Sequence, residues 1–225
     1  MRILMFDIDG TLLLTGGVGT RSFKKAFEDQ YGTQADMSCY SPWGATDYEI
    51  AGSLLKHHFP ERDIEIAEVD ALLNLYLGCF KAALPGDLGF RILPSALACL
   101  ETMADLPDTL VGVATGNLSH AAWPKLEKAG MHHWIRFGGF AEDGPQRATI
   151  LQAAKERAVA MVEGPVQSIW VIGDTPKDIH AARAISANVV AVATGKFGRA
   201  ELAEHDPDIL LDDLSELAAK PHLLT

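Results

Sequence analysis

Arg2-Ile3-Leu4-Met5-Phe6-Asp7-Ile8-Asp9-Gly10-Thr11-Leu12 begins as an unbroken apolar run and stops at two aspartates one residue apart, followed by Gly-Thr. An apolar run of this length without polar alternation reads as a strand buried on both faces. A buried strand that ends in two carboxylates needs an opposing charge. A divalent cation supplies it, and the same ion orients an incoming phosphate.

The surrounding chain repeats the pattern of short apolar runs followed by turns. Further strands are predicted at 110–114, 135–140, 168–172 and 188–193, with a weaker one at 209–211. Helical periodicity lies between them at 94–104, 119–129, 146–160, 176–185 and 213–219. Strands alternating with helices from residue 90 onward imply right-handed βαβ units and a parallel sheet covered on both faces. Residues 15–86 break the rhythm: helices are predicted at 20–30, 46–58 and 62–83, with no strand among them. The expected architecture is a doubly wound, Rossmann-like α/β core (residues 1–14 and 87–225) interrupted by an all-helical insertion (residues 15–86). Gly16-Gly17 and Leu84-Pro85-Gly86 are candidate hinges. Leu72, Leu75 and Tyr76 share helical spacing and read as core of the insertion.

Bulk composition narrows the function. The chain has 225 residues, 48% of them hydrophobic and 22% charged, ordinary values for a domain with a real core. Its formal net charge is -11 and it carries no basic run, which excludes nucleic acid and anionic membranes as expected partners. Cys39, Cys79 and Cys99 are odd in number and show no CxxC spacing. They read as small buried hydrophobes in a reducing compartment. Asp7 interrupts the first apolar run too early for a secretory leader, and no stretch approaches the length of a membrane span, so a cytoplasmic location is expected. Oligomeric state is not legible.

In open parallel sheets ligands bind at the carboxyl ends of the strands. Four polar features follow predicted strands here: Asp7 and Asp9; Thr115-Gly116-Asn117; Arg147; and Gly173-Asp174-Thr175-Pro176-Lys177-Asp178. Parallel topology would gather these sequence-distant groups on one rim.

In this order and spacing the four features resemble the haloacid dehalogenase superfamily of phosphohydrolases. The likeness covers almost the whole chain, because the helical insertion sits where one subclass of that family carries its cap. Within the insertion, Gly44-Ala45-Thr46-Asp47 resembles a segment of phosphoglycolate-phosphatase-like members. The resemblance implies a Mg²⁺-dependent phosphatase acting on a small phosphorylated metabolite. Asp7 would be the nucleophile that forms an aspartyl-phosphate. Asp9 would be the acid and base at the leaving and attacking oxygens, with its backbone carbonyl on the metal. Asp7, Asp174 and Asp178 complete the implied metal set, Asp178 through water or as support for the others. Thr115, with the backbone amides of Gly116 and Asn117, would hold phosphoryl oxygens, and Thr46 and Asp47 would meet the substrate from the cap.

Two residues depart from the family pattern. The family places a lysine, often Lys-Pro, where the nearest basic residue here is Arg147, which opens a helix. Arginine keeps the charge but changes the geometry. Lys125 and Lys155 are the other basic residues in range, and both read as exposed helix positions. Ser186 stands where a helix-ending glycine is usual, so strain is expected there. Asp174 could also cap the helix that follows it. His57-His58 and His132-His133 lack metal-ligand spacing and are assigned to the surface or an interface. Trp43 and Tyr48 flank Thr46-Asp47 and have two readings, substrate pocket or packing. Three rivals share the fold: a dehalogenase, which the presence of Asp9 disfavours; a phosphomutase; and a non-catalytic phospho-ligand-binding protein.

Overall fold

The computed structural model describes residues 1–39, 41 and 43–224. Six strands form one parallel sheet: β1 (Arg2–Phe6), β4 (Thr109–Ala114), β5 (Phe137–Gly139), β6 (Ser168–Gly173), β7 (Asn188–Val192) and β8 (Ile209–Leu211), in the order β5-β4-β1-β6-β7-β8. A two-stranded antiparallel ribbon, β2 (Leu13–Thr15) with β3 (Phe90–Ile92), stands apart from it. The helices are α1 (Val18–Tyr31), α2 (Asp47–His58), α3 (Ile66–Ala83), α4 (Ala96–Asp105), α5 (Ser119–Lys128), α6 (Arg147–Ala160), α7 (Pro176–Ala184), α8 (Arg199–Ala203) and α9 (Ser215–Ala219). None is long and apolar enough to cross a membrane.

The period of two along each strand divides the core. Leu4 and Phe6 of β1, Trp170 and Ile172 of β6, and Val190 and Val192 of β7 join Leu100 and Met103 of α4 and Leu217 of α9 on one face. Ile3 and Met5, Val171, and Val189 and Ala191 point the other way, to Ile150 and Leu151 of α6 and Ile179 of α7. Both faces are therefore dry, as the unbroken apolar runs require. Strand order reverses across β1, between β4 on one side and β6 on the other, and this reversal puts the end of β1 at the crevice of the sheet.

Between β2 and β3 the described residues form helices, 3-10 turns and connecting loops and no strand, as expected. Helices α1, α2 and α3 pack on one another around Phe27, Leu54, Leu72, Tyr76 and Phe80, and reach the sheet domain through Leu118 and Ala121. Leu75 is a correction: it is 41% exposed, because the buried stripe of α3 runs Val69, Leu72, Leu73, Tyr76, Phe80 and leaves Leu75 on the outer side. Tyr48 packs among the helices, with its hydroxyl 3.1 Å from Asp70 Oδ1. The chain enters and leaves the helical segment through crossing backbones. A Cβ on Gly16 would lie 2.4 Å from Gly89 Cα, so the crossing admits only glycine. Arg21 of α1 ties both strands of this crossing, donating to the Gly16 carbonyl (2.7 Å) and to Asp87 Oδ1 (2.9 Å).

The β2–β3 ribbon and α8 are absent from the sequence reading, since three- and five-residue elements carry too little periodicity to register. The strand predicted at 135–140 is confined to Phe137–Gly139, with a 3-10 turn at His132–Trp134 before it. Cys99 is fully buried, whereas Cys79 is only partly so, which corrects its assignment to the core. The side chain of Cys39 lies outside the described residues.

Candidate active site

Asp7 is held at the rim by backbone: its N–H donates to the Ile172 carbonyl (2.8 Å), which extends the β1–β6 pairing one residue past Phe6. The chain then turns sharply. Leu12 and Leu13 donate to the Ile8 carbonyl (2.9 and 3.1 Å), and Gly10, at φ 90°, donates to Leu13. The turn sends the Asp7 and Asp9 side chains to different partners, although an ideal strand would align them.

The strand-end groups converge. Asp7, Asp9, Thr115, Gly116, Asn117, Arg147 and Asp174 line one cavity of about 430 Å³, closed on its far side by residues of the helical segment including Asp47 and Trp43. Arg147 is the first residue of α6 and is buried. Its Nη2 lies 2.8 Å from Asp7 Oδ1 and 2.7 Å from Asp178 Oδ1, and its Nε donates to Asp178 Oδ1 at 2.9 Å. The guanidinium thus sits between two buried carboxylates. Burial alone would favour its neutral form, but Asp178 and Asp7 outweigh that and raise its proton affinity above the ordinary arginine value.

Asp178 is fully committed. Besides Arg147, it accepts at Oδ2 from the Thr175 N–H (3.1 Å) and hydroxyl (2.7 Å), in the capping box that starts α7. The helix cap is therefore Thr175, which corrects the expectation that Asp174 could fill that position. Asp174 turns the other way: Thr11 donates to its Oδ1 (3.1 Å), while its Oδ2 is buried without a hydrogen-bond partner.

Oxygens of Asp7, Asp174 and Asp178 lie within 4.8 Å of one another. Two glycines make room for this cluster. A Cβ on Gly10 would fall 2.3 Å from Asp174 Oδ2, and one on Gly195 would fall 1.7 Å from it. Burial pushes Asp7 up to about 6 against the pull of Arg147, and burial with the charge of Asp7 holds Asp174 well above the carboxylate range. An orphaned buried carboxylate oxygen beside a second carboxylate is the donor set of a hard divalent cation, so these residues fit one. The Asp9 side chain is not in the cluster.

Asp9 pairs with Lys125 instead, Oδ2 to Nζ at 2.5 Å, and Lys125 also donates to Asn117 Oδ1 at 2.7 Å. This overturns the reading of Lys125 as an exposed position: it is 3% exposed. The sequence signal is present in α5, where the buried residues Ala121, Ala122, Lys125 and Leu126 follow one helical stripe that includes the lysine. Lys155 is turned away from the site, its Nζ donating to the Ile185 carbonyl.

One of the two expected amide donors, Asn117, is already engaged, as are the next two N–H groups along the chain. Asn117 N–H is directed at Thr115 Oγ1 (3.4 Å), Leu118 N–H donates to Asp47 Oδ2 (2.7 Å), and Ser119 N–H donates to Glu142. The start of α5 is thus satisfied by carboxylates from within the protein. Thr46 is also corrected: its hydroxyl caps α2 by accepting from Glu49 N–H (3.0 Å), it is buried, and it does not line the cavity. Asp47 does line it, and its N–H donates to the Gly116 carbonyl (2.7 Å). Burial pushes its carboxyl up to about 7, despite the Leu118 N–H and Lys125.

Comparison with known proteins finds relatives over nearly the whole chain. A family model described as HAD-hydrolase-like matches residues 145–217. The chain is similar to a phosphoglycolate phosphatase from Mesorhizobium japonicum, 23% identical over 97% of this chain and 93% of that protein. It is similar to the pyrophosphatase PpaX from Anoxybacillus flavithermus, 22% identical over 95% of this chain and 94% of that one. Its fold superposes on the crystal structure of a predicted phosphatase from Clostridium acetobutylicum with a TM-score of 0.75 and 18% identity, over 99% of both chains.

Proposed function

We propose that this chain, a haloacid dehalogenase superfamily hydrolase acting on phosphate esters, is a Mg²⁺-dependent phosphatase that works through an aspartyl-phosphate on Asp7. The observation that carries the proposal is the convergence on one cavity of Asp7, Thr115 and Asp174 from three strand ends and of Arg147 from the first turn of α6, with a buried oxygen of Asp174 left unpartnered. Asp7 and Asp174 would hold the cation directly, with the Asp9 carbonyl as the family resemblance implies. Asp178, whose oxygens are taken by Arg147 and Thr175, supports them. The ion would neutralise charge on the carboxylates and on the phosphate.

In the first step an Asp7 oxygen attacks phosphorus and the ester P–O bond breaks. The leaving oxygen takes a proton from the Asp9 carboxyl. In the second, Asp9 takes a proton from water, the water oxygen attacks phosphorus, and the P–O bond to Asp7 breaks. Orthophosphate leaves and Asp7 is restored. Arg147, 2.8 Å from Asp7 Oδ1, would neutralise negative charge shared between Asp7 and the phosphoryl group, and Thr115 Oγ1 would donate to a phosphoryl oxygen.

Residues 15–86 act as a cap on this site, with the Gly16–Gly89 crossing as part of its hinge region. Closure excludes water and brings Asp47 and Trp43 to the substrate. The names of the relatives point to a small phosphorylated metabolite such as phosphoglycolate, or to pyrophosphate, as substrate. Free thiols at Cys79 and Cys99 suit a reducing cytoplasm. The test is phosphate release from a panel of phosphorylated metabolites with and without Mg²⁺, with Asp7→Asn alongside. Metal-dependent turnover lost in Asp7→Asn is expected, and turnover retained by that variant sinks the assignment of the nucleophile.

A further inference from the structure

Three basic residues line the catalytic cavity, and two are already engaged. Arg147 lies against Asp7 and Asp178, and Lys125 against Asp9 and Asn117. The third, Arg91, belongs to β3 of the ribbon at the edge of the helical segment. Its side chain has no ion pair or hydrogen bond among the described residues, and it is exposed. The register of the ribbon sets its direction. Leu14 and Arg91 are directly opposed, so their side chains share one face, and both line the cavity. Leu13, one residue away, points to the opposite face and is fully buried in the core.

We propose that Arg91 is the specificity residue of the site: it receives a second anionic group carried by the substrate's leaving portion. This rests on the phosphatase reading above. A phosphate monoester with only an apolar or neutral leaving group has no use for an unpaired cation on the cavity wall. A guanidinium is weakly hydrated and grips carboxylate or phosphate through two parallel N–H donors, so it suits either anion. Phe23, Ile50 and Tyr76 of the helical segment add apolar lining, and among the described lining residues Arg91 is the one cation without a side-chain partner. Asp47, the acidic lining residue contributed by the helical segment, is engaged by the Leu118 N–H. The substrate class is thus a small phosphate ester or anhydride with a further carboxylate or phosphate.

Matched substrates test this. Phosphoglycolate and 2-hydroxyethyl phosphate differ in replacing a carboxylate by a hydroxymethyl group, and pyrophosphate provides the phosphate arm. The wild type is expected to favour phosphoglycolate or pyrophosphate over 2-hydroxyethyl phosphate by at least about 10-fold in kcat/KM, chiefly through KM. Arg91→Gln should bring that ratio toward one, and Arg91→Lys should restore part of it. Whichever anion shows the larger Arg91-dependent preference identifies the second group. No preference in the wild type, or a preference that survives Arg91→Gln, overturns the inference. If none of the three compounds is hydrolysed, calorimetric binding of the same compounds to the wild type and Arg91→Gln reads the discrimination directly. Arg91-dependent tighter binding of either dianionic-plus-one compound then upholds the anion site while the phosphatase reading fails; equal binding overturns it.

Discussion

Lys125 Nζ lies 2.5 Å from Asp9 Oδ2, from the buried stripe of a helix that otherwise carries alanine and leucine. Each aspartate of the first motif therefore has its own cation: Arg147 for Asp7 and Lys125 for Asp9. A buried ammonium is retained only when it is paired, and here the pairing fixes the position of the residue assigned to proton transfer.

Removing that ammonium should misplace Asp9 more than it disturbs the fold. Lys125→Met keeps the length and apolar stem of the side chain. It is expected to lower kcat by about 100-fold, the scale of a misplaced catalytic group, with KM less affected. Steady-state kinetics beside a thermal melt check this; an unchanged kcat would show that Asp9 is positioned without the lysine.

Gly195 has a sharper role than its place in a loop suggests. A Cβ there would stand 1.7 Å from Asp174 Oδ2, the buried oxygen without a partner. Gly195→Ala must push Asp174 out of the carboxylate cluster. The expected result is a loss of Mg²⁺ affinity of at least about 10-fold, by analogy with disturbed support around metal ligands. Calorimetric titration with Mg²⁺ reads this independently of turnover, and wild-type affinity in the variant would remove Asp174 from the metal set.

Asp47 should make stability depend on pH. Its carboxyl has an ordinary value of 3.8 and is pushed up to about 7 by burial. Over that window the folded chain binds a proton that the unfolded chain has released, so the stability of the wild type falls as pH rises from about 4 to about 7. Asp47→Asn keeps an acceptor for the Leu118 N–H and cannot ionise, so its denaturation midpoint should decline less across this window. An identical slope in both proteins would show that the folded chain carries Asp47 ionised.

Ser186 illustrates a departure legible in sequence whose consequence the backbone makes concrete. Helix α7 ends in paired bonds, Ala187 N–H to the Ala182 carbonyl and Ser186 N–H to the Arg183 carbonyl. This motif sets Ser186 at φ 57°, where a side chain crowds the backbone. Ser186→Gly should stabilise the protein by about 1 kcal/mol, the cost of a non-glycine residue in that region, and raise its Tm without changing kcat/KM. A lower Tm would mean that the serine side chain compensates for the strain.

The sequence by itself determined the sheet, because uninterrupted apolar runs such as Leu4 to Phe6 can only be buried on both faces. It also determined that the carboxylates after β1 and β6 would share a rim, because parallel strands all present the same end. Asp7, Thr115 and Asp174 line the cavity for that reason, and Arg147 joins them from the first turn of α6. Only the tertiary structure decided their partners. Whether Asp9 faces a metal or an ammonium depends on how the turn at Gly10 twists and on which side of α5 meets it, and these are set by packing across 116 residues of separation. The same holds for Thr46, spent on capping its own helix, and for Arg91, set facing the cavity by the register of a three-residue ribbon. Strand burial is encoded locally in hydrophobic period; the pairing of charges is a long-range outcome of the fold.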